Sequence, residues 1–91
     1  MKGLFIINPS SGRQNCQDVL MPIMGKLIMD QICNTIDVYY TQKKDDAMYR
    51  TASLQKEDYD FIVSVGGDGT LNEAINGLVI GGCETPLAVI S

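Results

Sequence analysis

Four short apolar runs alternate along the chain with three longer segments that have a helical pattern. The strand-like runs lie near Lys2–Asn8, Thr35–Thr41, Asp60–Val65 and Pro86–Ile90. The segments of helical length and spacing are Gln17–Gln31, Asp45–Gln55 and Leu71–Ile80. Strands that alternate with helices in this way favour a parallel sheet covered by helices. The sequence therefore predicts an α/β fold in three layers with a mostly parallel sheet.

Proline and glycine give three further expectations about the helices. Pro22 is expected in or near the first turn of the first helix, where its missing N–H costs little. Gly81 and Gly82 are expected to stop the third helix. Gly77 is expected to let that helix pack closely against the sheet.

Composition argues against several classes of protein. The 91 residues suffice for one small domain, and the net charge of −4 argues against nucleic acid and against a polybasic membrane anchor. The chain has no histidine, and its three cysteines form no C-x-x-C pair. No apolar run has the length of a bilayer span. We therefore expect a cytoplasmic protein with reduced cysteines.

The segment Val65–Leu78 reads V-G-G-D-G-T-L-N-E-A-I-N-G-L and joins the third strand-like run to the third helical segment. Glycines between a strand and a helix let the backbone approach a phosphate, and the first free N–H groups of the helix point at it. Asp68 would repel phosphate unless a divalent cation lay between them. The local pattern therefore predicts a site for a nucleotide with Mg²⁺.

Neither common phosphate-binding motif fits this segment. No lysine follows the glycines as a P-loop requires, and Asn72 stands where a dinucleotide-binding motif needs its third glycine. The segment instead resembles the GGDGTxNExxNG signature of the diacylglycerol kinase catalytic-domain family, which includes bacterial diacylglycerol kinases and sphingosine and ceramide kinases. Asn8-Pro9-Ser10-Ser11-Gly12, after the first strand-like run, resembles the N-P-x-[SA]-G loop of the same family.

The resemblance implies that ATP is bound at the ends of the first, second and third strands. Thr41, at the end of the second strand, matches a threonine that is common in the family. Asp68 would organise Mg²⁺ carried by the nucleotide. The candidate nucleotide-binding residues are Asn8, Pro9, Ser10, Ser11, Gly12, Thr41, Gly66, Gly67, Asp68, Gly69, Thr70, Leu71, Asn72 and Glu73.

Thr70 and Glu73 also have a purely structural interpretation. T-x-x-E is the pattern of a capping box, in which the threonine caps the helix and the glutamate reaches back to it. Because such a cap lies where the phosphates would bind, the two interpretations are compatible.

The resemblance further implies that residues 1–91 form an incomplete N-terminal ATP-binding domain. In the family a second, mostly β domain carries the lipid site and the catalytic acidic residue, which we therefore expect beyond Ser91. The full protein would transfer the γ-phosphoryl group of ATP to a lipid hydroxyl of the diacylglycerol type. It would touch the inner face of the membrane only through that second domain. The fragment alone would lack turnover, and its exposed apolar sheet edge or face predicts a homodimer or larger aggregates.

Two alternatives stay open. NAD kinases share G-G-D-G-T, but they lack the N-P-x-S-G opening and the continuation that contains Asn72-Glu73 and Asn76-Gly77. The chain could also be a non-catalytic module that binds a nucleotide or a partner.

Overall fold

The computed structural model describes residues 1–9 and 16–90, with only the backbone described for 16–19. It contains four strands and three helices in strict alternation. In chain order they are β1 (Lys2–Ile7), α1 (Cys16–Met29), β2 (Thr35–Tyr40), α2 (Asp46–Ala52), β3 (Phe61–Val65), α3 (Asp68–Gly81) and β4 (Leu87–Ile90). The predicted order of elements is confirmed.

The strands form one sheet in the order β2-β1-β3-β4, and every neighbouring pair is parallel. The central strands β1 and β3 are apolar almost throughout and are buried along nearly their whole length. Strands covered on both faces have this composition, because neither face of the sheet meets water. The predicted α/β fold with a parallel sheet is therefore confirmed.

Alternate residues of the central strands pack into two separate cores. Leu4, Ile6 and Ile62 pack with Ala47 of α2 and Leu78 of α3 on one face of the sheet. The intervening residues pack with Leu20 of α1 on the other face; they are Phe5, Ile7, Val63 and Val65. This alternation follows from the two-residue period of a strand. It produces the three predicted layers, with α1 on one side and α2 and α3 on the other.

Helices α2 and α3 cross closely at a glycine. A Cβ atom on Gly77 would overlap Thr51 Oγ1 and the carbonyl oxygen of Met48, both in α2. The buried Thr51 hydroxyl lies 3.0 Å from the carbonyl oxygens of both Ala47 and Ala74, so it links the two helices. The expectation that Gly77 packs against the sheet was wrong. Its close neighbour is α2, which lies on the same face of the sheet as α3.

Two helix starts also differ from the sequence-based expectation. Helix α1 begins at Cys16, so Pro22 lies past its first turn, on the exposed side. Apolar spacing locates the buried stripe of a helix but not its first residue, which explains the difference. Helix α3 begins at Asp68 rather than Leu71, within the glycine-rich segment itself.

Cys33 and Cys83 are free thiols, the first buried and the second half-buried. Among residues 1–9 and 16–90, no helix is both long enough and apolar enough to cross a bilayer.

Candidate functional site

The carboxyl ends of all four strands meet at one edge of the sheet, which we call the rim. The Asn8 N–H donates to the carbonyl oxygen of Val65 (3.0 Å), and the Thr41 N–H donates to that of Ile7 (2.9 Å). The Gly66 N–H donates to the carbonyl oxygen of Ile90 (3.1 Å). These bonds place Asn8, Thr41 and Gly66 side by side, where open parallel sheets commonly bind ligands.

The glycine-rich turn is tight at its first glycine and open at the next two. Gly66 has φ +149°, and a Cβ atom there would lie 2.9 Å from Thr70 Oγ1 and 3.3 Å from Asn8 Cβ. No atom of the described residues lies within 4 Å of the corresponding positions on Gly67 and Gly69. Gly66 is therefore required by the fold, whereas the described part of the chain leaves space beside the backbone at Gly67 and Gly69.

The predicted capping box does not form. Gly67, in an extended conformation, is the N-cap of α3, so Thr70 lies inside the first turn instead of capping it. Glu73 Oε1 accepts a hydrogen bond from the Ala47 N–H at the start of α2 (3.3 Å) instead of reaching back along α3. The N-cap residue Gly67 makes no side-chain hydrogen bond, because glycine has no side chain. Within the described residues, the first N–H groups of α3 are thus open to a ligand or to water, at the positive end of the helix.

A side-chain hydrogen bond joins the two sequence motifs. Asn8 Nδ2 donates to Thr70 Oγ1 over 3.3 Å, although the residues are far apart in the chain. Thr70 is buried (5% exposed), so its hydroxyl is fixed between the end of β1 and the first turn of α3. The N-P-S-S-G and G-G-D-G-T segments therefore meet at one point of the rim.

Asp68 stands in the first turn of α3 with its side chain exposed. In the part of the chain that the structure describes, no three His, Cys, Asp or Glu residues cluster to hold a metal ion. Mg²⁺ often binds through one or two carboxylates while phosphate oxygens and waters supply the other ligands. A lone Asp68 at a helix N-terminus therefore fits a Mg²⁺ ion carried by a nucleotide, and does not fit an ion held by protein ligands alone.

A cavity of about 470 Å³ opens at the rim between the end of β1, the first turns of α3 and the loop after β2. Its described lining residues are Asn8, Pro9, Thr41, Gln42, Lys43, Lys44, Thr70 and Glu73. Asn8, Pro9, Thr41, Thr70 and Glu73 were candidates from the sequence, and the cavity brings them together.

The other described candidates, including the half-buried Gly66, do not line this cavity. Gly67, Asp68, Gly69 and Asn72 are exposed, and Leu71 is half-buried. Ser10, Ser11 and Gly12 lie outside the described residues.

Sequence reasoning missed Gln42, Lys43 and Lys44, which complete one side of the cavity. Their position in the sequence could have predicted this. They directly follow Thr41, and any residue just past the end of a parallel strand reaches the same rim.

The loop that carries these lysines is fixed by Asp46. Its Oδ2 accepts the Gln42 N–H (2.8 Å), and its Oδ1 accepts the Tyr39 hydroxyl (2.7 Å). These two hydrogen bonds, the Tyr39 bond first, hold the pKa of the Asp46 carboxyl below its ordinary value. The buried carboxylate of Asp46 thus accepts hydrogen bonds from both the loop and β2.

Comparisons with known proteins agree with this arrangement of motifs. The family profile described as "Diacylglycerol kinase catalytic domain" matches residues 2–91. A protein named diacylglycerol kinase from Staphylococcus haemolyticus is 37% identical over 73 residues, which cover 80% of this chain and 22% of that protein. The protein of the same name from Staphylococcus carnosus is 37% identical over 80% of this chain and 23% of its own length.

Solved structures are also similar to this chain. The crystal structure of a diacylglycerol kinase from Bacillus anthracis superposes with a TM-score of 0.78 at 28% identity, covering 98% of this chain and 30% of that one. The solution structure of a phosphate-loop protein, at 21% identity and a TM-score of 0.57, shares the fold alone. The chain therefore spans between about a fifth and a third of the length of its diacylglycerol kinase relatives.

The profile match extends over nearly every residue, and both motifs lie at one rim of a parallel sheet. This chain belongs to the diacylglycerol kinase catalytic domain family.

Proposed function

We propose that residues 1–91 are the nucleotide-binding part of an ATP-dependent lipid kinase, which transfers the γ-phosphoryl group of ATP to a lipid hydroxyl of the diacylglycerol type. The hydrogen bond between Asn8 Nδ2 and Thr70 Oγ1 carries this proposal, because it brings the two family motifs to one ligand-sized cavity. The names of the relatives support the lipid acceptor class.

In the proposed site, backbone groups bind the phosphates. In the described part of the chain, the N–H groups of Gly67–Gly69 and the first turn of α3 have no side-chain cap, and no atom lies within 4 Å of a Cβ position on either glycine. Asn8 and Thr41 would offer polar groups to the rest of the nucleotide from the ends of β1 and β2. Binding of this kind holds the triphosphate in one orientation, which is the main protein contribution to phosphoryl transfer.

Asp68 would hold the magnesium of the nucleotide at the same helix end. The ion held there would supply positive charge that neutralises the phosphates. The carboxylate of Asp68 is exposed beside the glycines, so it can reach such an ion without rearrangement of the core.

The acceptor lipid and the general base belong, in this proposal, to sequence outside residues 1–91. The chain covers only 22% of the length of its Staphylococcus haemolyticus relative, which leaves room for the β-rich lipid-binding domain expected from the resemblance. Any contact with the inner face of the membrane would come through that domain of an otherwise cytoplasmic protein. The isolated chain is accordingly expected to bind nucleotide without turnover.

Competition with a fluorescent ATP analogue tests the choice of ligand. We expect unlabelled ATP to displace the analogue in the presence of Mg²⁺, while NAD⁺ at the same concentration leaves it bound. Displacement by NAD⁺ as well would contradict the lipid kinase assignment and favour an NAD kinase-like site. Failure of the analogue to bind at all would leave the non-catalytic interaction module as the better description of this chain.

A further inference from the structure

Two lysines stand out at the rim cavity because the chain as a whole is acidic. The sequence has 7 Lys and Arg residues against 11 Asp and Glu residues, yet Lys43 and Lys44 are adjacent and both line this one cavity. Glu73 is the acidic residue among the described lining residues, and one of its carboxylate oxygens accepts the Ala47 N–H. The described wall formed by the loop after β2 is therefore cationic.

The backbone that carries the lysines is held on both sides. Asp46 Oδ2 accepts the N–H of Gln42, just before the pair. The Asp46 N–H donates to the carbonyl oxygen of Lys43 over 3.2 Å. Asp45, just after the pair, has φ +66° and turns the chain into α2. Hydrogen bonds to Asp46 therefore fix the backbone of this loop.

Asp46 is itself anchored to the sheet. Its Oδ1 accepts the hydroxyl of Tyr39, a β2 residue that pairs with Ile6 of β1. The guanidinium of Arg50 lies 5.5 Å from the centre of the Tyr39 ring, which further limits the movement of that side chain. Asp46 is only 6% exposed, so a nucleotide in the cavity would meet the lysines rather than this carboxylate.

We propose that Lys43 and Lys44 form a basic wall that contacts the distal phosphates of the nucleotide, and that Asp46 is the positioning residue that holds this wall at the cavity. The inference rests on the proposed function and adds a basis for specificity. A site with this wall prefers nucleoside triphosphates to monophosphates, because only the former place several negative charges beside the lysines.

A nucleotide series tests the basic wall directly. In the Lys43→Ala/Lys44→Ala double variant we expect the Kd for Mg-ATP to rise about tenfold while that for AMP changes by less than about twofold. The affinity of the variant for ATP should also depend less on salt concentration, because exposed charges are screened. Lys56→Ala is the matched control, since Lys56 is exposed but lies in the loop before β3, at the opposite edge of the sheet.

A double-mutant cycle tests the role of Asp46. Asp46→Ala should lower the ratio of ATP to AMP affinity in the wild-type background and have no further effect on that ratio in the Lys43→Ala/Lys44→Ala background. Asp46→Asn keeps one oxygen acceptor and should restore part of the ratio. A ratio that falls equally in both backgrounds would overturn the positioning role, since Asp46 would then act independently of the lysines.

The outcomes separate this inference from the function on which it rests. Binding of Mg-ATP by the wild-type chain with an unchanged Kd in the lysine variant would overturn the basic wall and leave the nucleotide site standing. Absence of Mg-ATP binding by a folded wild-type chain would overturn both. Circular dichroism of each variant shows whether it is folded, and the AMP affinity of the same sample is an internal reference for an intact site.

Discussion

Gly66 takes a backbone conformation, φ +149°, that residues with a side chain rarely adopt. A Cβ atom at this position would also meet the Thr70 hydroxyl and Asn8. Gly69 lies in the first turn of α3, and no described atom lies within 4 Å of the corresponding position. Two glycines of one motif therefore have different roles, the first in the fold and the second in leaving room at the helix end.

These roles predict opposite effects of the same substitution. Gly66→Ala should lower the free energy of unfolding by about 1–3 kcal/mol, because the strained conformation and the close contact both resist a side chain. Gly69→Ala should raise it by up to ~1 kcal/mol, since alanine is the better helix former, while weakening nucleotide binding. Urea denaturation measures both changes. Equal destabilisation by the two variants would contradict the assignment.

The sequence predicted which residues lie at the rim better than it predicted their hydrogen-bond partners. Polar residues at the ends of apolar runs were sufficient to place Asn8 and Thr41 at the rim, because all parallel strands end at the same edge. The partners of Thr70 and Glu73 were predicted wrongly. A T-x-x-E pattern is compatible with a capping box, but the extended Gly67 starts the helix earlier, and Glu73 then faces α2.

Helices α2 and α3 are joined by a crossing that has no room for a side chain at Gly77. Gly77→Ala should therefore lower the free energy of unfolding by about 1–3 kcal/mol through overpacking, despite the better helix propensity of alanine. Gly25 of α1 has no described atom within 4 Å of its Cβ position, so Gly25→Ala is the matched control and should stabilise slightly. Thermal unfolding of both variants checks this, and a stabilised Gly77→Ala would contradict the crossing.

Helix α2 begins at a carboxylate whose pKa is lowered by hydrogen bonds from the Tyr39 hydroxyl and the Gln42 N–H. A lowered folded-state pKa means that the unfolded chain binds the proton more tightly. The stabilisation from Asp46 is therefore complete above its ordinary pKa of 3.8 and is lost as pH falls through the folded value.

The Asp46→Asn variant tests this contribution because it removes the titrating group. The difference in Tm between wild type and variant should be constant from neutral pH to about pH 5 and should shrink below about pH 4. A difference that stays constant down to pH 2 would show that the charge of Asp46 does not stabilise α2.

For the helices and strands, the sequence predicted the existence and order of every element but not which helices pack against each other. Periodicity indicates which side of a helix is apolar, and Leu20 and Leu78 on those sides are buried, whereas Val79 beside Leu78 is 74% exposed. It does not show which element lies against that side. The expectation for Gly77 was therefore right about a close approach and wrong about the partner, because the position of α2 over the sheet is a tertiary property.

Across the whole molecule, the sheet has edges at β2 and β4, and large apolar side chains are exposed near β4. Val79 is 74% exposed, Ile80 68% and Val89 50%. Beside them a cavity of about 390 Å³ is lined largely by apolar residues of α3 and β4, including Ile75 and Leu87. Apolar surface of this kind next to an edge strand promotes association.

We therefore keep the prediction that the isolated chain forms dimers or larger species. Size-exclusion chromatography with light scattering should show a mass that rises with protein concentration. Val79→Lys, which places a charge on the exposed patch, should shift the chain toward monomer. A clean wild-type monomer at all concentrations would contradict the prediction.

The central claim is that the glycine-rich turn at the rim binds a nucleotide with Mg²⁺, and isothermal titration calorimetry tests it most directly. The chain is titrated with ATP, with and without Mg²⁺, beside Asp68→Ala and the control Glu57→Ala, whose exposed carboxylate lies in the loop before β3. We predict saturable binding by the wild type and the control that weakens about tenfold or more without Mg²⁺ or without Asp68. Binding that is indifferent to both Mg²⁺ and Asp68, or no binding by the folded chain, would contradict the account.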